Sequence, residues 1–124
     1  MKLRIKGNSL RMRLSQSEVD ILASTGSVMD VINFGQAKLT YQLTLAKSNE
    51  ISAVYHDNVI AINVPQDTGA KWATSDQVGI EEDIDLGDGE VLSILIEKDF
   101  KCLTVRPGED ESDLYENPQD QHNG

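Results

Sequence analysis

Residues 2–6 (KLRIK) and 9–14 (SLRMRL) alternate apolar and polar positions, which predicts two strands that each bury one face. Gly7-Asn8 between them reads as a tight two-residue hairpin turn. Ser15 then stands three residues before Glu18, the spacing of a capping box in which the serine and the glutamate each bond the other's backbone N–H. Val19, Leu22 and Ala23 follow at helical spacing, and Gly26 can close the helix. Residues 28–34 (VMDVINF) and 38–46 (KLTYQLTLA) return to strand patterning.

The second half follows the same plan. ISAVYH and VIAINV flank Asp57-Asn58 as another hairpin. Pro65-Gln66-Asp67 opens a short helical segment carrying Ala70, Trp72 and Ala73, weakened by Gly69. QVGIEEDI and EVLSILIEK are the last two strands, joined near Gly87-Asp88-Gly89. Sliding the chain by 50 positions lays Asn8, Gln16, Ala23 and Val28 on Asn58, Gln66, Ala73 and Val78. The same shift lays Leu10, Met12 and Leu14 on Ile60, Ile62 and Val64. The expected organisation is therefore a single α+β domain over residues 1–105, with possible ββαββ repeats at 2–47 and 51–99. Hairpin order favours antiparallel pairing, and exposed edges favour closure. The expected fold is thus about eight mainly antiparallel strands in a barrel or strongly curved sheet, with two short helices.

Charge changes this picture at both ends. Twenty-one acids against eleven bases give a net charge of −10, yet Lys2, Arg4, Lys6, Arg11 and Arg13 are five of the eleven bases. Glu109, Asp110, Glu111, Asp113, Glu116 and Asp120 follow Arg106, so residues 106–124 read as a flexible acidic tail with Pro107 and Pro118. A chain that is 39% hydrophobic can build a core, and no run approaches the roughly 20 apolar residues of a membrane helix. No charged leader followed by an apolar stretch marks a secretory signal, so a cytoplasmic protein with no membrane contact is expected. With one cysteine, Cys102, there is no disulfide framework or CxxC metal pair.

The two-residue turn sets Lys6 opposite Ser9, Arg4 opposite Arg11 and Lys2 opposite Arg13. Directly opposed like charges cost roughly 0.2–1 kcal/mol per pair, so an anionic group should compensate them. The matching hairpin places His56 opposite Val59, Val54 opposite Ala61 and Ser52 opposite Asn63, which shows that the plan itself does not need a cationic face. Three compensators compete. One is internal: Glu81, Glu82, Asp83, Glu97, Asp99 or the acidic tail. The second is a small anion such as a phosphate, nucleotide or acyl group held by the arginine forks. The third, single-stranded nucleic acid, is disfavoured by net charge and by the lack of interleaved aromatics. An acidic protein partner would satisfy the same face.

Other constellations carry less chemistry. His56 reads as a turn residue, and His122 lies in the tail. Cys102 lacks an identifiable histidine partner for nucleophilic work. Trp72 and Tyr41 read as core. No cofactor motif is present. Catalysis would need a metal-dependent phosphohydrolase in which Glu81, Glu82, Glu90 or Glu97 holds Mg²⁺ while the bases hold phosphates.

The segments MKLRIKGNSLRMRLSQSEV, DQVGIE, LSILIEKDFKCL and DLYENP resemble a family of small bacterial proteins of unknown function. That resemblance implies that the acidic tail belongs to the normal extent of the domain, and it brings no activity. At the level of fold, eight strands in a duplicated unit are similar to the triphosphate tunnel metalloenzymes, which implies a barrel lined by charged residues. Those enzymes carry E-x-E-x-K in their first strand, whereas here Met1-Lys2-Leu3-Arg4-Ile5-Lys6 has no glutamate. A non-catalytic binding or interaction module is the leading expectation.

Overall fold

In a computed structural model of the chain, residues 1–100 and Tyr115 are described. The acidic tail, Cys102, His122 and the 105/106 domain boundary lie outside them. The order is β1 (Lys2–Lys6), β2 (Ser9–Leu14), α1 (Gln16–Thr25), β3 (Ser27–Asn33), β4 (Lys38–Ala46), β5 (Ser52–His56), β6 (Val59–Pro65), α2 (Gln66–Thr74), β7 (Gly79–Gly87) and β8 (Glu90–Lys98).

These eight strands form two four-stranded sheets rather than the expected barrel. The first sheet runs β1-β2-β8-β7 and the second β3-β4-β6-β5. Each half of the chain gives one hairpin to each sheet. The hairpins join through parallel pairs, β2 with β8 and β4 with β6, and the four hairpin pairs are antiparallel. Every sheet therefore ends in two edges instead of circling back on itself. The edges of the first sheet are blunted by charge, with Lys2, Arg4 and Lys6 on β1 and Glu81, Glu82, Asp83 and Asp85 on β7.

Local chemistry explains the elements. Ser15 and Glu18 form the capping box of α1, and Gly26 ends that helix at φ 90°, where its N–H donates to Leu22 O. Asp57 and Asn58 both take positive φ (50° and 63°), the requirement of a two-residue hairpin turn whose twist matches the strands. Gly69 weakens the helix propensity of α2, but a Cβ there would overlap Leu45 Cδ2 on β4. A larger residue at this position would require the tip of Leu45 to move aside.

The inner faces align in matching rows. In the first sheet Leu3, Met12, Ile96 and Ile80 lie side by side. In the second, Ala53, Ile62, Leu43 and Val28 do the same. Val28 therefore matches Ile80 rather than Val78, because the second half carries extra residues between its helix and third strand. Leu14, Val64, Leu22 and Trp72 complete the buried core at the end where β2 and β6 run into the helices. The opposite end holds the hairpin turns at Gly7-Asn8 and Asp57-Asn58, and neither of the two helices among the described residues lies there. Among the described residues, no helix is long and apolar enough to cross a membrane.

Candidate functional site

The outer face of the β1–β2 hairpin has the register read from the sequence. Lys2 is opposite Arg13, Arg4 opposite Arg11, and Lys6 opposite Ser9. Parity then places Leu3, Ile5, Leu10 and Met12 on the inner face, so the five cations share the outer one.

Part of this charge is met internally, by two of the candidate acids. The parallel register sets Glu97 of β8 beside Arg13, and Glu97 Oε1 accepts from the Nε of both Arg11 and Arg13 at 2.6 Å. Burial alone would raise the Glu97 pKa, but the bonds from Arg13 and Arg11 outweigh it and hold the carboxyl below the usual glutamate range. Asp99, buried just past β8, pairs with Lys2 Nζ at 2.9 Å. Two carboxylates thus face five cations. Arg4 and Lys6 have no acidic partner among the described residues, and each bridging guanidinium uses only its Nε toward Glu97. A cleft of about 220 Å³ is lined by Lys2, Leu3, Arg4, Arg11 and Arg13.

The remaining proposed compensators lie elsewhere. Glu81 and Asp83 share the outer face but sit on β7, separated from β2 by β8. Asp83 accepts instead from Ser93 Oγ at 2.8 Å. Nor does the carboxylate set suggested for a metal come together. Glu81 and Glu82 alternate between faces, Glu90 lies at the start of β8, and Glu97 is bound by arginines. Among the described residues no three potential metal-ligating side chains cluster. His56 is exposed beside its turn, within 3.1 Å of Asp57. Trp72 is buried, as expected, and donates through Nε1 to Val78 O at 2.9 Å.

Two polar features were not foreseen. The Met1 ammonium lies between the carboxylates of Glu18 on α1 and Asp30 on β3, the latter at 2.6 Å, and Tyr41 Oη donates to Met1 O at 3.0 Å. Burial alone would lower this ammonium's pKa, yet the bonds to Asp30 and Glu18 raise it. The cluster fixes the start of β1 and so the position of Lys2 and Arg4. The second feature is Lys98, buried on the inner parity of β8 in line with Ile94 and Ile96. Its Nζ donates to Ser75 O at 2.7 Å and lies 5.8 Å from the Trp72 ring and 5.4 Å from that of Tyr115. Burial pushes its pKa down against the opposing pull of Asp76. Alternation along EVLSILIEK placed Lys98 inward, and only its charge argued otherwise.

A family model covers residues 1–119. The chain belongs to DUF7009, a family of unknown function. No curated protein and no solved structure matches the chain. Membership in DUF7009 therefore names no reaction or partner, and the chemistry must be read from the site itself.

Proposed function

We propose that the protein is a non-catalytic binding module whose outer β1–β2 face holds a small phosphorylated ligand. One observation carries this reading. Arg4 and Arg11 stand directly opposite one another at a cleft where the nearby acids are already engaged by Lys2, Arg11 and Arg13. Guanidinium groups with unengaged N–H donors suit the oxygens of a phosphate, which accept such forks in pairs. The matched hairpin of the second sheet, with Val54 opposite Ala61, builds the same strands without charge. The cationic face therefore serves something other than folding. A metal-dependent phosphohydrolase gains no support, since its carboxylates point to different faces and partners.

The test is a titration with inorganic pyrophosphate followed by NMR of backbone amides and arginine Nε groups. Shifts should concentrate at Lys2, Arg4, Arg11 and Arg13 and weaken with added salt, and Arg4→Val should reduce the affinity about tenfold, the loss of one charge-assisted contact. Absence of shifts on this face, or an unchanged affinity in Arg4→Val, would sink the proposal.

A further inference from the structure

The inner side of the same strands contains a second, chemically opposite site. At the helix end, side chains of both sheets close on one another. Toward the hairpin turns the sheets leave an open cleft of about 410 Å³. Its walls are matched pairs from the two halves: Ile5 with Tyr55, Leu10 with Ile60, and Leu92 with Leu39. None of its eleven lining residues carries a formal charge, in a chain that is 26% charged with a net charge of −10. Ile5 is 59% and Tyr55 69% exposed, so large apolar side chains stand uncovered at the mouth.

We infer that this cleft binds a neutral, mainly aliphatic small molecule that ends in one hydrogen-bonding group. The volume lies within the range of small-molecule sites, which are concave and largely apolar with few polar groups. A charge-free lining offers no partner to an ion, whereas burial of hydrocarbon against Leu10, Ile60, Leu39 and Leu92 removes apolar surface of both ligand and protein from water. The two walls differ at one pair. Tyr55 brings a hydroxyl where Ile5 brings none, and that hydroxyl has no hydrogen-bond partner among the described residues. It orients the polar end of the occupant toward β5. The two clefts share no lining residue, and Ile5 and Arg4, consecutive on β1, project to opposite sides of that strand.

The probe is N-phenyl-1-naphthylamine, a neutral dye that fluoresces on leaving water, displaced by 1-decanol. The expected result is saturable one-to-one binding, displacement by decanol and poorer displacement by decanoate. Ala53→Leu fills the cleft, and Ile5→Lys places a charge at its mouth on an exposed edge position. Each should weaken the dye by about tenfold or more, the scale set by a misfit group in an apolar pocket. Arg4→Val should leave the dye unaffected, which separates failure here from failure of the phosphate reading. The inference is overturned by absence of binding to the wild-type chain, or by unchanged affinity in both cleft variants. A dimer in sedimentation whose formation excludes the dye would also overturn it, by assigning the mouth to a second copy.

Discussion

The outer faces of the two sheets occupy equivalent positions of one plan and carry opposite surfaces. Across the first sheet, one row reads Arg4, Arg11, Leu95, Glu81, and the corresponding row of the second reads Val54, Ala61, Gln42, Met29. The next rows read Lys6, Ser9, Ser93, Asp83 against His56, Val59, Thr40, Val31. The first sheet thus grades from cationic at β1 to anionic at β7, while the second is nearly free of charge and exposes Met29, Val31 and Val54. Inner rows diverge less, with Lys98 of β8 against Leu45 of β4 as the charged exception, because both halves must fill one interior at high packing density. Position by position, the interior is constrained by shape and the exterior by whatever it meets. The difference between the outer faces is therefore the contrast on which the proposed phosphate site rests.

The largest effects should fall where the halves agree. Leu22 and Trp72 occupy corresponding positions of α1 and α2, and both are buried. Trp72→Ala should destabilise the fold by about 3–5 kcal/mol and Leu22→Ala by about 2–5, the cost of lost contacts plus a cavity. Loss of Trp72 also removes one of the two donors to Val78 O, the Lys98 N–H at 3.0 Å remaining. Urea denaturation of the two variants checks this. Comparable losses mean that the halves share one cooperative core, and a small loss at either site would show that one half dominates it.

Much of this core was legible before the structure. The hairpin registers follow from period-two alternation and two-residue turns, and α1 follows from Ser15, Glu18 and Gly26. These are local signals. The joining of β2 to β8 and of β4 to β6 was not legible, because any strand with the right alternation can accept any other, and parallel partners far apart in sequence leave no turn between them. The expectation of a barrel or strongly curved sheet was met at that step only in part: the α+β class, eight strands and two helices hold, but the described strands form two mixed sheets and no closed barrel. The site was half legible for the same reason. The five cations and their shared face were visible, but choosing Glu97 and Asp99 among the candidate acids required the parallel register. The Met1 cluster and the apolar cleft are products of sheet-on-sheet packing, which alternation alone does not encode.

A smaller effect should come from Glu97, whose counterpart in the second sheet is Thr44. Glu97→Gln keeps an acceptor of the same size and removes the charge between Arg11 and Arg13. The expected loss is about 1–2 kcal/mol near neutral pH, moderated because both arginines are partly solvated. The sign with pH follows from the lowered pKa. The contribution of Glu97 is complete above the ordinary glutamate value of 4.5 and is lost as pH falls through the lower folded value. Wild type and variant should therefore converge in acid, and a gap that persists unchanged to low pH would assign the loss to packing rather than to charge.

The smallest effect should have the opposite sign. Arg4→Val installs on β1 the residue that β5 carries at the corresponding position, opposite Arg11 as Val54 is opposite Ala61. It removes one directly opposed like-charge pair and adds a β-branched residue to a strand, which together should stabilise the fold by about 0.2–1 kcal/mol. The gain should shrink at high salt, where the repulsion in wild type is already screened. The same substitution is expected to weaken pyrophosphate binding. Greater stability with poorer binding is the signature of charge maintained for a ligand against the preference of the fold. If Arg4→Val instead destabilised the chain, the two outer faces would differ for structural reasons, and the contrast between the sheets would no longer point to an anion.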